Sequence, residues 1–319
     1  MKKYNVVFCG TPDFSVPSLE ILHQHPLINL CAVVTMPDRP AGRGKNLTPP
    51  PVATFATENK IKLFQVENLN QDDKLLTFLE KSQPDFMVVL AFAQFLSKKV
   101  LNIPTMGCFN IHTSLLPKYR GAAPIQYALL NGDQATGVSI QKMVSKMDAG
   151  DIAYSSEVQI SSEETGGQLY TRLKFLAATA LNDFIHSLAN KSIAYTPQNE
   201  KNVSFAPSLK KEDGLLSFSE KTFFELKNQV RGLHPWPGTY CFLNGKRLKV
   251  FEIEPSPEKL NPGEVSTQHG CLVVGLKDCS IRLSTVQLEG KKRCSDFELL
   301  NGIKNGDDKI FLSSQGEKK

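Results

Sequence analysis

Tyr4-Asn5-Val6-Val7-Phe8-Cys9-Gly10 is an apolar run that stops at Thr11-Pro12, and a helical pattern over residues 16–25 follows it. Working outward, further apolar runs cover 27–35, 85–92 and 107–112, with helical patterns over 51–60 and 72–83 between them. Short apolar runs alternating with helices mark parallel strands joined by crossover helices. Proline stands near the start of the first two helices, where a missing N–H costs little. The expected fold of this part is an open α/β sheet.

Two more strands, 136–143 and 151–160, flank Met147-Asp148-Ala149-Gly150. Leu169, Leu173, Leu176, Ala180, Leu181, Phe184 and Leu188 then repeat at helical spacing and predict one long amphipathic helix ending near Asn190. Residues 190–214 turn polar, with Pro197, Pro207 and Lys210-Lys211-Glu212-Asp213-Gly214, as a linker would. Beyond it come a helix over 219–232 and strands over 239–243, 247–254, 263–267, 271–276 and 280–287. Five short strands separated by Gly, Asn and Pro predict a small closed or partly closed β-barrel. The expected division is a catalytic domain over 1–189, a linker over 190–208 and a C-terminal barrel domain over 209–319. Trp236, in a Pro-rich turn, is read as pinning the helix to the barrel rather than stacking on a base.

A chain of 319 residues exceeds most single cores, in line with two domains. Hydrophobic residues at 41% and charged residues at 22% are ordinary values for a folded protein. A net charge of +5 is mild, so a nucleic-acid partner would have to be met by local patches. Three are present: Arg39, Arg43 and Lys45; Lys246, Arg247 and Lys249; Lys291, Lys292 and Arg293. Seven scattered cysteines with no C-x-x-C spacing argue against a disulfide framework and a thiolate metal site, and point to a reducing compartment. No run resembles a signal peptide or reaches the roughly 20 apolar residues a bilayer span needs. The cytoplasm is the expected location, with no membrane partner and no metal.

Asn110 and His112 lie two apart at the end of the 107–112 strand, so both project from one face. Ligands of open α/β sheets bind beyond the carboxyl ends of strands. A carboxamide and a protonated imidazole can both donate to an oxygen gaining negative charge, and Asp148 would hold the ring tautomer. That set suits attack on a carbonyl by a nucleophile from the substrate, since no Ser or Cys is placed as an enzyme nucleophile and G-x-S-x-G is absent. Taken alone, a strand-end histidine is more often a satisfied structural group than a catalytic one.

The run Asn110-Ile111-His112-Thr113-Ser114-Leu115-Leu116-Pro117-Lys118-Tyr119-Arg120-Gly121-Ala122-Ala123-Pro124-Ile125-Gln126, with Asp148-Ala149-Gly150-Asp151 downstream, resembles the signature of folate-dependent formyltransferases. Within that superfamily the likeness to the methionyl-tRNA formyltransferases extends over the whole chain. It is carried by Gly10-Thr11-Pro12-Asp13-Phe14, residues 37–45, residues 210–214 and His234-Pro235-Trp236-Pro237-Gly238. The resemblance implies a Rossmann-like catalytic domain, a C-terminal barrel similar to an OB-fold, and transfer of a formyl group from 10-formyltetrahydrofolate to initiator methionyl-tRNA. It makes Asn110, His112 and Asp148 catalytic. Ser114, Leu115, Leu116 and Pro117, with Leu90, Ala91 and Phe92, would meet the folate.

The same likeness sends residues 37–51 into the tRNA acceptor stem, with Arg43 as main contact beside Arg39 and Lys45. Lys210, Lys211, Lys246 and Arg247 would add contacts from the second domain, and the protein would be a monomer. The glycines of Gly42-Arg43-Gly44-Lys45 do not fit a Walker motif, which would need Gly at Arg39 and Ser or Thr at Asn46. Asn46 and Tyr127 stand where relatives often carry a basic residue. Two alternatives can share part of the signature: a formyltransferase for amino-sugar nucleotides, against which the arginine-bearing loop argues, and a glycinamide ribonucleotide formyltransferase, which would leave the last third unexplained. A non-catalytic tRNA- or folate-binding module would not need Asn110, His112 and Asp148 intact.

Overall fold

The computed structural model describes residues 3–42, 44, 46–303 and 312–313. Contacts divide the chain into two units, one of residues 1–124, 135–159 and 170–206 and the other of 125–134, 160–169 and 207–319.

In chain order, β1 (Tyr4–Gly10), α1 (Val16–Gln24) and β2 (Ile28–Thr35) lead to the short strands β3 (Arg39–Ala41) and β4 (Asn46–Thr48). Then follow α2 (Pro51–Glu58), β5 (Leu63–Gln65), α3 (Asp73–Ser82), β6 (Phe86–Leu90), α4 (Lys98–Leu101) and β7 (Cys108–His112). The chain continues through β8 (Arg120–Gly121), α5 (Pro124–Leu130), β9 (Ala135–Lys142), β10 (Ile152–Gln159), α6 (Gly166–Ala189) and β11 (Phe205–Ala206).

Seven strands form one mixed sheet in the order β10-β9-β7-β6-β1-β2-β5. Its five-strand part is parallel, whereas β9 pairs antiparallel with β7 and β10 antiparallel with β9. Every residue of β6, Phe86-Met87-Val88-Val89-Leu90, is buried, as a strand covered on both faces requires. One face packs Val7, Cys9, Val34 and Val89 against Leu75 and Leu79 of α3. On another flank Phe109 meets Phe86 at 6.0 Å and Phe184 of α6 at 4.8 Å between ring centroids. The strand order reverses between β1 and β6, and Gly10 faces Leu90 in register there. That is the switch point at which open α/β sheets bind ligands.

The segment 37–51 is not irregular throughout. Arg39, Pro40 and Ala41 pair with Thr48, Leu47 and Asn46 in a small hairpin. Gly42 (φ 70°) and Gly44 (φ 111°) supply the left-handed turn. Strands of three residues are too short to show alternation, which is why the sequence reads them as loop.

The second unit contains α7 (Phe223–Gly232), β12 (Thr239–Leu243), β13 (Lys246–Ser256), β14 (Val265–Ser266), β15 (Val273–Gly275), β16 (Ser280–Leu288), β17 (Cys294–Ser295), α8 (Asp296–Ile303) and β18 (Leu312–Ser313). Thr222 and Glu225 form a capping box that starts α7 four residues later than the pattern over 219–232 predicts. The antiparallel order is β14-β15-β16-β13-β12-β18, with β17 on β16. Asn244 (φ 46°) and Gly245 (φ 75°) make the tight turn between β12 and β13. Two register shifts bend the long β13, and the sheet curls around Leu226, Cys241, Leu248, Val250 and Leu283. Among the described residues its edges are β14 and β18, so of the closed or partly closed barrel expected it is the partly closed form, a curled antiparallel sheet. Trp236 is 54% exposed, less of an anchor than its Pro-rich turn implies.

Asp296, fully buried at the start of α8, accepts from Leu272 N at 2.9 Å, Phe297 N at 2.9 Å, and Arg282 Nε and Nη2 at 2.8 Å each. Burial alone would raise its pKa, but the hydrogen bonds and charge of Arg282 outweigh it and hold the carboxyl below its usual value. A depressed carboxylate stabilises the fold fully above its unfolded pKa of about 3.9, and that stability is lost as pH falls through the lower folded value. Asp296→Ala is expected to cost about 3 kcal/mol at pH 7, because it leaves Arg282 and the Leu272 N–H unpaired. In urea melts the deficit should shrink below about pH 4. A deficit that is unchanged at pH 3 would remove the ion pair as its cause.

Candidate active site

Asn110 and His112 share one face of β7, and the antiparallel β9 places Gln141 opposite Asn110 and Ser139 opposite His112. Gln141 reaches across to the turn that follows β9. Its Nε2 donates to Asp148 Oδ1 at 3.0 Å and its Oε1 accepts from Gly150 N at 2.9 Å. Asp148 has a left-handed backbone (φ 50°). Gly150 must be glycine, since a Cβ there would lie 1.7 Å from the Lys142 carbonyl oxygen. The turn is thus folded back onto the sheet, bringing Asp148 to the Asn110–His112 pair from 38 residues away.

The Asp148 carboxylate accepts from Gly121 N at 2.9 Å through Oδ2 and, more loosely, from Asn110 Nδ2 at 3.4 Å through Oδ1. His112 Nδ1 stands 3.8 Å from Oδ2, beyond hydrogen-bond range but close enough for an ion pair when the ring is protonated. His112 Nε2 lies 2.9 Å from the Tyr119 carbonyl oxygen. A carbonyl can only accept, so Nε2 carries a proton. The tautomer that the sequence reading assigns to Asp148 is therefore set by Tyr119, and Asp148 faces the other nitrogen. Both groups are nearly buried, with side chains 7% and 11% exposed.

Tyr119 (φ 61°) and Gly121 (φ 124°) are also left-handed. A Cβ on Gly121 would come within 2.6 Å of the Ala206 carbonyl oxygen. Left-handed residues other than glycine are uncommon, and their clustering at one site marks backbone held in place by its surroundings.

The residues expected to meet a flat ligand divide. Ser114 is fully buried and spends its hydroxyl on Lys118 O at 2.6 Å. Ser139 Oγ donates to Ser114 O at 2.8 Å and accepts from Leu116 N at 3.0 Å, which braces the turn. Leu116 is buried, while Leu115 and Pro117 remain partly accessible. At the switch point Leu90 and Phe92 are buried, Phe92 in the core with Leu75 and Leu79, and only Ala91 (φ 48°) is exposed. Ser15 Oγ takes the Leu90 carbonyl at 2.8 Å. Contacts from this segment must come from the Ala91 side of the chain and its backbone.

The turn after β1 is fixed by Asp13, which accepts from Tyr170 Oη at 2.7 Å and Lys174 Nζ at 2.8 Å. Burial pushes the Asp13 carboxyl up, but these two donors outweigh it and hold it below its usual value. Cys9 and Cys108 end as inert thiols, since burial pushes both up, Cys108 to about 12. Neither supplies a nucleophile.

Of the basic residues, Arg39 lies on β3 and is ion-paired with Glu67, and Arg43 and Lys45 lie outside the described residues. Lys210 and Lys211 open a short turn at 211–214. Lys246 and Arg247 begin β13, the Arg247 guanidinium 3.7 Å above the Tyr240 ring. Among the described residues no cluster of three or more His, Cys, Asp or Glu has metal-site geometry, and no helix is long and apolar enough to cross a membrane.

Sequence reasoning did not find Tyr119, Gly121, Gln141 or Gln198, whose Nε2 donates to the carbonyls of Asp148 at 2.9 Å and Gly150 at 2.7 Å. Gln141 had no signal of its own, being one of several polar residues, with Thr136, Ser139 and Lys142, in its strand. The others act through backbone atoms or from a segment read as linker.

The family described as formyl transferase matches residues 2–185, and its C-terminal domain matches 208–304. A methionyl-tRNA formyltransferase of Syntrophus aciditrophicus is 44% identical over 308 residues, spanning 95% of this chain and 97% of that one. One from Halothermothrix orenii is 39% identical, covering 95% and 99%. Among solved structures, WlaRD, a sugar 3N-formyl transferase in the presence of dTDP and 5-N-formyl-THF, shares the fold with a TM-score of 0.64 at 19% identity, covering 92% of this chain and all of that one. HypX from Aquifex aeolicus in complex with tetrahydrofolic acid has a TM-score of 0.59 at 14% identity, over 99% of this chain and 51% of the other. With both domain matches and relatives this similar over nearly their whole length, the chain belongs to the methionyl-tRNA formyltransferases.

Proposed function

We infer that the protein transfers the formyl group of 10-formyltetrahydrofolate to the α-amino group of methionyl initiator tRNA. The observation that carries the chemistry is the convergence of Asn110, His112 and Asp148 at the sheet. The folate supplies the formyl carbon. Leu115, Pro117 and the backbone at Ala91 are the accessible groups that would hold it. The amine nitrogen bonds to the formyl carbon, the carbon–N10 bond breaks, and the proton lost by the amine ends on N10.

Asn110 Nδ2 has a second N–H beyond the one directed at Asp148, and it donates to the formyl oxygen as negative charge builds there. Protonated His112 stabilises the same charge while Tyr119 and Asp148 hold the ring. Asp148 is the base within the cluster. A strong base is unnecessary, because an α-amino group titrates at about 7.7 to 8.0 and is partly neutral at pH 7.

The tRNA meets Arg39, Arg43 and Lys45 of the 37–51 segment, and the second unit through Lys210, Lys211, Lys246 and Arg247. Arg and Lys at such positions suit phosphate and base-edge contacts. The protein works in the cytoplasm as a monomer. Incubation with 10-formyltetrahydrofolate and either charged initiator tRNA or an amino-sugar nucleotide tests the assignment. Formylated methionyl-tRNA is expected, and product only with the sugar would overturn it. Raising salt from 50 to 200 mM should weaken use of tRNA far more than folate binding, since each phosphate contact releases a counterion. Equal sensitivity of the two would remove the electrostatic tRNA footprint.

A further inference from the structure

The segment 196–206 reads as linker by composition, yet it is laced to the catalytic centre of the first unit. Thr196 exchanges both backbone hydrogen bonds with Ile152 at 2.9 Å. Ser204 Oγ accepts from Tyr119 N at 2.9 Å and Ser204 O accepts from Arg120 N at 2.9 Å. β11 pairs in parallel with β8, and the Ala206 carbonyl accepts from Ala122 N at 2.8 Å and Ala123 N at 3.1 Å.

The orientation of the Gln198 carboxamide is determined by Arg120. That guanidinium is 1% exposed and donates to Gln198 Oε1 from Nε at 3.1 Å and Nη2 at 2.8 Å, and also to Glu200. With Oε1 so engaged, Nε2 must face the Asp148 and Gly150 carbonyls.

We propose that residues 196–206 are a positioning element for formyl transfer, in which Gln198 holds the Asp148 turn and Ser204 holds Tyr119, whose carbonyl fixes the His112 ring. This rests on the catalytic reading of Asn110, His112 and Asp148. Asp148 and Tyr119 are both left-handed residues with a Cβ, a conformation that persists only where neighbours over-determine it. Each is held by a side chain from this one segment. Neither Gln198 nor Ser204 touches substrate; both act through the groups they orient.

The test uses the full chain with Gln198→Glu, Ser204→Ala and Ser204→Thr. Glu at 198 keeps the acceptor for Arg120 but turns an oxygen towards two carbonyls, releasing the turn. Slackening of this kind should lower kcat about 10- to 100-fold in Gln198→Glu and Ser204→Ala, with KM for the formyl donor unchanged. Ser204→Thr, which retains the hydroxyl, should restore kcat, and the ¹⁵N shifts of His112 should move in Ser204→Ala and not in Ser204→Thr. If Gln198→Glu shows no cooperative melt, the Ser204 pair decides. Wild-type kcat in the folded variants, or loss in Ser204→Ala that Ser204→Thr fails to restore, overturns the proposal. Wild-type kcat in Asn110→Ala would overturn the catalytic reading as well, so the two failures are distinguishable.

Discussion

Asn110→Ala is expected to slow formyl transfer by roughly 10²- to 10³-fold at saturating substrates, the loss that follows removal of one oxyanion donor. Alanine fits a strand, and among the described residues the only side-chain hydrogen bond lost is the loose one to Asp148 at 3.4 Å. The fold should therefore survive with a change of about 1 kcal/mol or less. A lowered kcat with little change in either KM is the signature of an interaction made only in the transition state. Single-turnover rates with preloaded formyl donor would measure the chemical step. If that rate is within about threefold of wild type, the oxyanion role is wrong.

Asp148→Asn is expected to lower kcat by roughly 10³-fold, somewhat less than the ~10⁴-fold loss when a triad carboxylate is replaced in the same way. In the triad that substitution also spoils the histidine tautomer. Here the Tyr119 carbonyl keeps a proton on His112 Nε2, so the tautomer survives and only the charge beside Nδ1 is lost. Asparagine tolerates the left-handed backbone that position 148 requires. Its single carbonyl oxygen, however, cannot serve both Gly121 N and Gln141 Nε2, each of which now donates to a separate carboxylate oxygen. Isotope-resolved NMR of the His112 ring would show an unchanged tautomer. A variant that turns over normally would exclude Asp148 from both charge stabilisation and proton removal.

The parallel part of the sheet was legible because β1, β2, β6 and β7 are apolar runs broken by glycine, proline or a polar turn. The buried runs leave few alternatives, and α6 announces itself through its leucine spacing. β5, the β3–β4 hairpin, α4, α5 and α8 were not legible. Each element is three to eight residues long, too short for a periodic signal, and β5 is a strand only because it pairs with the distant β2. The barrel strands were placed to within a few residues, since the asparagine and glycine turns punctuate them. The two-residue strands β17 and β18 are strands only through their pairing with β16 and β12.

At the site, residue chemistry picked out Asn110 and His112 because a period of two puts both on one face of a strand. Asp148 was named from its motif, and its approach depends on the Gly150 contact and on Gln141 across the β7–β9 register. By itself, then, the sequence determined the alternation of elements, the shared face of Asn110 and His112, and the family signature around them. Those follow from local periodicity and from side-chain types written in one stretch of chain. Only the tertiary structure decided which atom holds His112, that Asp148 faces its Nδ1, and that Gln198 and Ser204 brace both. These are hydrogen bonds to backbone atoms across dozens of residues, and a backbone carbonyl or N–H is the same in every residue that carries it.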